Sequence, residues 1–163
     1  MSQSTTPLPV TADPSQPPPS AAGAPRRLFV PALYTLRVLT TLNALLVVAQ
    51  AWSIGQYLNG DYPQLRLHAT GAGIAILSAA ALGLVALVYA FAGGPWRSVG
   101  AVLLFFAEGF QTGMGYARQL GLHIPLGVSI VTLAVLVAVW SWSGAAARPR
   151  PRSTRSPLTP ARR

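Results

Sequence analysis

Residues 67–92 read LHATGAGIAILSAAALGLVALVYAFA, a stretch without a single Lys, Arg, Asp or Glu. A helix rises 1.5 Å per residue, so about 20 apolar residues cross a hydrocarbon layer of ~30 Å. This stretch is long enough to cross with some tilt. It shows no period-2 alternation, which argues against a membrane β-barrel. Its small residues, Gly71, Gly73 and Ala79–Ala81, offer a face for close helix packing.

Three further runs share that character: about 32–54, ALYTLRVLTTLNALLVVAQAWSI; about 97–117, RSVGAVLLFFAEGFQTGMGYA; and about 122–143, LHIPLGVSIVTLAVLVAVWSWS. Helix ends are marked by Gly55, Gly60 and Pro63, by Gly93, Gly94 and Pro95, and by Gly121. Pro125 is expected in the first turn of the fourth helix, where its missing N–H costs nothing. The expected fold is all-α: a polytopic membrane four-helix bundle, up-down-up-down, over residues 26–143. The Pro/Ser-rich segment 1–25 and the Arg/Pro-rich segment 144–163 read as disordered cytoplasmic tails, because neither can bury enough apolar surface to offset its ordering entropy. Segment 1–25 lacks a charged start and is not expected to be a signal peptide.

Composition agrees. Of 163 residues, 52% are hydrophobic and 9% charged, against roughly 25% charged in soluble domains, and mean hydropathy is +0.45. The absence of cysteine excludes a disulfide framework and thiolate chemistry. A net charge of +9 raises nucleic acid as a partner, but the arginines flank the apolar body, so topology explains them and nucleic acid is not expected. Four spans place Arg26, Arg27, Arg97 and six C-terminal arginines on one side, against Arg66 and Arg118 on the other. The positive-inside rule then puts both termini in the cytoplasm of a bacterial inner membrane. Arg37 lies inside the first span, near enough to the cytoplasmic headgroups to snorkel. Tyr57, Tyr62 and Tyr116 at one boundary, with Trp96, Trp140 and Trp142 at the other, read as interfacial anchors.

The second and fourth runs open alike. Leu65-Arg66-Leu67-His68 is followed by Gly71, and Leu120-Gly121-Leu122-His123 by Gly127; Gln50 and Gln111 occupy matching places in the preceding helices. The pattern suggests a tandem hairpin pseudo-repeat. In such a bundle the second and fourth helices lie on a diagonal, roughly 11–14 Å apart for neighbours at 8–10 Å. His68 and His123 would reach inward at one depth near the outer face. Three readings stay open: the pair ligates haem iron, it holds another metal, or each is a plain interfacial histidine in reach of water. For haem, Gly71, Ala72 and Gly127 would admit a flat macrocycle, and Arg66 and Arg118 would pair with propionates. A zinc site wants three or four ligands, and the one nearby carboxylate, Asp61, sits on a loop.

The stretch Glu108-Gly109-Phe110-Gln111-Thr112-Gly113 through Gly121-Leu122-His123 resembles the four-helix haem b modules of haem A synthase. The chain is also similar to small four-span bacterial membrane proteins with Leu-His near the same two helix starts. The resemblance covers about 50–143 and implies haem b between His68 and His123 toward the outer side. Both histidines stand here within the first turn. One module is present where haem A synthase has two, and that enzyme's catalytic carboxylate has no counterpart, so haem A synthesis does not follow.

Glu108 lies mid-span, where a carboxylate is costly and is expected to face the bundle in its protonated form. Asn43 and Glu108 are each eleven residues from their cytoplasmic helix ends, about 16 Å deep. Asn43, Val47, Gln50 and Ile54 form one stripe, and Leu104, Glu108, Gln111 and Gly115 another. The functional reading is a proton relay or quinone contact; the structural reading is an interhelical hydrogen bond. Gly109-x-x-x-Gly113 fits the helix-dimer motif, though intrachain packing is expected to use it. No phosphate loop, Ser-His-Asp set or carboxylate pair supports soluble enzyme chemistry. The function expected is a bis-His haem b electron-transfer module with a redox partner or quinone. The alternative is a non-enzymatic membrane accessory subunit, without cofactor and able to self-associate.

Overall fold

A computed structural model describes residues 27–151, and among them it contains helices and no strand. The segment 1–25 and most of 144–163 lie outside the described residues. Helix α1 is Phe29–Leu58, α2 is Gln64–Phe91, α3 is Ala101–Tyr116 preceded by a 3₁₀ turn at Trp96–Gly100, and α4 is Leu120–Trp142. Each helix packs on its sequence neighbours, and α4 closes the ring against α1. Contacts between opposite ends of neighbouring helices, such as Phe29 with Tyr89 and Arg37 with Ser141, make the order antiparallel throughout.

The helix boundaries depart from the sequence reading in three places. Helix α1 runs through Gly55 and stops at Asn59-Gly60, where Gly60 takes φ +99°; a glycine inside a helix weakens it but does not end it. Helix α4 starts at Leu120, which moves Pro125 into its second turn. The Gly121 carbonyl thereby loses its helical donor, at an exposed position. The third run opens as a 3₁₀ turn, with Ser98 Oγ donating to the Ala86 carbonyl at 3.2 Å. Helices α1, α2 and α4 are each long and apolar enough to cross a membrane. Helix α3 has 16 residues, about 24 Å of rise.

The packing inverts that of a water-soluble bundle. Alanines 75, 79, 86 and 134 fill the interior beside Thr40, Asn43, Ser141 and Glu108, while Leu45, Leu77, Leu84, Leu103, Phe106 and Val139 point outward. Small residues let backbones approach: a Cβ on Gly83 would meet Val102 at 3.6 Å. Gly109 and Gly113 do not serve this purpose, contrary to the sequence reading. Both are exposed, and a Cβ on either would meet nothing within 4 Å, because α3 turns that face outward.

Burial is concentrated at one end. Phe29, Leu33, Leu36, Leu82, Tyr89 and Leu104 form a closed core there. The body continues past 143: Ala146 is fully enclosed and its carbonyl accepts from Tyr89 Oη. The Arg150 N–H donates to the Gly93 carbonyl at 2.8 Å, and its guanidinium bonds the Ala90 carbonyl and lies 4.4 Å from the Trp96 ring. This strap caps the carbonyl end of α2, where a cation is favoured. Ala86→Leu should overpack this core and cost about 1–3 kcal/mol, seen as a lowered thermal midpoint in detergent. Leu77→Ala, on the outward face, should stay within about 0.5 kcal/mol.

Candidate functional site

The open end of the bundle holds the two histidines. His68, in the first turns of α2, and His123, in the first turn of α4, meet across a diagonal with ring centroids 6.3 Å apart and planes at 76°. Each ring is fixed by the helix before it. His68 Nδ1–H is shared between the Gln50 carbonyl at 3.1 Å and Ser53 Oγ at 3.2 Å. His123 Nδ1–H donates to the Gln111 carbonyl at 2.8 Å. Those acceptors assign a proton to Nδ1 on both rings, so that in the neutral ring the lone pair belongs to Nε2. Histidines that bind metal show this arrangement, with the far nitrogen anchored to a carbonyl.

The two hairpins repeat the same device. Gln111 Nε2 donates to the His123 carbonyl at 2.7 Å and lies against Gly127, where a Cβ would stand 2.7 Å from it. Gln50 lies against Gly71 so closely that a Cβ there would collide with its amide. The glutamine–glycine contacts and glutamine–histidine bonds thus recur in α1–α2 and α3–α4. Gly115 adds a close approach in the second hairpin, since a Cβ on it would stand 2.8 Å from His123 Cε1.

The ring-centre separation is the length a shared ion would require. Metal–imidazole bonds run about 2.0–2.1 Å, which places two nitrogens about 4 Å apart and ring centres roughly 6 Å apart. Among the described residues no group of three or more His, Asp or Glu converges on a metal position. The two imidazoles are thus the donors that this end of the bundle would offer a metal. The 6.3 Å edge contact also falls in the range of ordinary aromatic packing.

Arg66 and Arg118 are exposed at this same end, and Arg118 takes φ +57° in the short link before α4. Deeper in the bundle the other diagonal is bridged: Asn43 Nδ2 donates to Glu108 Oε1 at 3.1 Å. Asn43 and Glu108 are both buried, whereas Gln50 and Gln111 are half-buried. Sequence reasoning missed Ser53, whose signal was its place one turn beyond Gln50 on α1. It also missed that the glutamines hold the histidines by their backbone carbonyls.

No protein-family model matches this chain, and no curated protein or solved structure matches it.

Glu108→Gln should leave the bundle folded, because an amide oxygen still accepts from Asn43. The cost should lie within about 1 kcal/mol by thermal melting, as for interhelical hydrogen bonds in bundles. Loss of folded protein on that swap would show that the charged form is required.

Proposed function

We propose that this chain is an integral membrane protein whose outer-end histidine pair holds haem b and serves electron transfer. The observation that carries the reading is the pair itself: two imidazoles on diagonal helices with ring centroids 6.3 Å apart, each tied at Nδ1 to a carbonyl. The membrane setting is supported by three helices long and apolar enough to cross, and by leucines facing outward around a core of small and polar residues. Arg27, Arg97, Arg148 and Arg150 stand at the closed end, which by the positive-inside rule supports a cytoplasmic closed end and histidines toward the outer face. This orientation joins the reading to the inner membrane of a bacterium.

Haem held by His68 and His123 would supply one-electron transfer rather than oxygen chemistry. The chain's own residues do the rest. Gln50, Ser53 and Gln111 fix the ring orientations, Gly71 and Gly127 let the glutamines seat against the backbone, and Arg66 and Arg118 offer cations at the rim for propionates. A redox protein or quinone is the partner this role requires. The resemblance to haem b modules of haem A synthase supports the ligand pair alone. A second reading, an accessory subunit without cofactor, is favoured by the edge-to-face distance of the two rings.

The protein purified in detergent from haem-replete cells should show a Soret band. His68→Ala and His123→Ala should each abolish most of it, and Ser53→Ala should weaken haem affinity by about 10-fold or less. A colourless preparation of folded protein supports the accessory reading. Reporter fusions should place both termini on the cytoplasmic side; termini on opposite sides would overturn the topology.

A further inference from the structure

One arginine stands well inside an apolar helix. Helix α1 is long and apolar enough to cross a membrane, and Arg37 lies eight residues past its first residue, Phe29, about 12 Å along the axis. A charge on a span needs a partner, because hydrocarbon does not solvate it. The described carboxylates lie elsewhere: Asp61 is at the histidine end, bonded to Gln64, and Glu108 is interior, bonded to Asn43.

The side chain is nevertheless held in one place. Arg37 Nε donates to the Ser141 carbonyl at 3.0 Å, at the carbonyl end of α4, where a cation is favoured. The guanidinium carbon lies 5.3 Å from the Tyr34 ring centre and 5.1 Å from that of Trp142, within the reach of cation–π attraction. Trp142 is pinned in turn: its Nε1 donates to Thr41 Oγ1 at 3.1 Å, and Thr41 Oγ1 donates to the Arg37 carbonyl at 2.8 Å. Tyr34 and Trp142 are exposed, so this frame stands on the outer seam between α1 and α4 rather than in the interior. Trp142 is the last residue of α4, and indole rings favour the headgroup layer. The bond to Ser141 uses Nε and leaves the two terminal nitrogens as the open edge of a planar fork.

We infer that Arg37 binds the phosphate of an anionic phospholipid seated in the α1–α4 seam, in the leaflet at the arginine-rich end. The fork donates two parallel N–H···O bonds to phosphate oxygens, and the Tyr34 and Trp142 rings flank it. The acyl chains run over Leu45 and Val48, exposed residues one and two turns beyond Thr41 on the same face of α1. An anionic headgroup is selected because Arg37 brings a positive charge that the phosphate of a zwitterionic headgroup already receives from its own ammonium. Arg97, exposed at the same end, borders a separate hollow with Leu136, Val137 and Trp140 and serves as a control of equal charge. The site requires that the chain lie in a membrane and is independent of haem.

The full-length chain in mild detergent is titrated with phosphatidylglycerol or phosphatidylcholine, and bound lipids are counted by native mass spectrometry. The native chain should hold its first phosphatidylglycerol more tightly than phosphatidylcholine. Arg37→Gln should weaken that binding about 5-fold or more, whereas Arg97→Gln should change it less than about 2-fold. Inorganic phosphate in excess should not displace the lipid. In parallel, the native chain is irradiated in vesicles containing a phosphatidylglycerol with a diazirine near its glycerol, and the crosslinks should fall on 34–41 and 141–142. Equal affinity for the two lipids, equal loss from the two variants, displacement by phosphate, or crosslinks confined to other segments would each overturn the lipid site while leaving the membrane reading intact. A chain that stays dissolved in water without detergent would overturn both. The crosslinking decides even where Arg37→Gln does not fold.

Discussion

Close approach of backbones, made possible by alanine and glycine on the inward stripes, is the constraint on which the other features rest. Across a diagonal of roughly 11–14 Å, two side chains meet only if both are long enough and both helices present them inward. Asn43 with Glu108 and His68 with His123 satisfy that condition on the two diagonals of one bundle. Larger residues at Ala75, Ala79 or Ala134 would push the helices apart and separate both pairs. The polar contacts are thus a product of the small residues rather than an independent source of cohesion.

Much of this was legible in the sequence because lipid-scale hydrophobicity leaves a coarse signal. Four apolar runs, the matched Leu-x-Leu-His openings and the equal depths of Asn43 and Glu108 follow from counting residues at 1.5 Å each. The structure brings the two histidines together and joins Asn43 to Glu108. Finer features were not legible. Gly55 reads as a stop, yet α1 continues through it, because its helical bonds are completed on either side. The direction faced by Gly109 and Gly113 was equally hidden, since glycines at that spacing suit an inward or an outward face alike.

The candidate site divides along the same line. Residue type identified the histidines and the glutamines, but the histidines are held by the glutamines' main-chain carbonyls, which every residue possesses. Only the register of α1 against α2, and of α3 against α4, selects those two carbonyls. Ser53 escaped notice for a related reason: a lone serine in an apolar run most often bonds its own helix, and this one does so, at 2.9 Å to Gln50 O, while also reaching His68.

The strap at Ala146 and Arg150 has a mechanical meaning. At the arginine-rich end it rivets α2 to the chain beyond α4, whereas at the histidine end the hydrogen bonds of His68 and His123 each stay within one hairpin, α1 with α2 and α3 with α4. The bundle is thus laced across its hairpins at one end and within them at the other, like a fork joined at its handle.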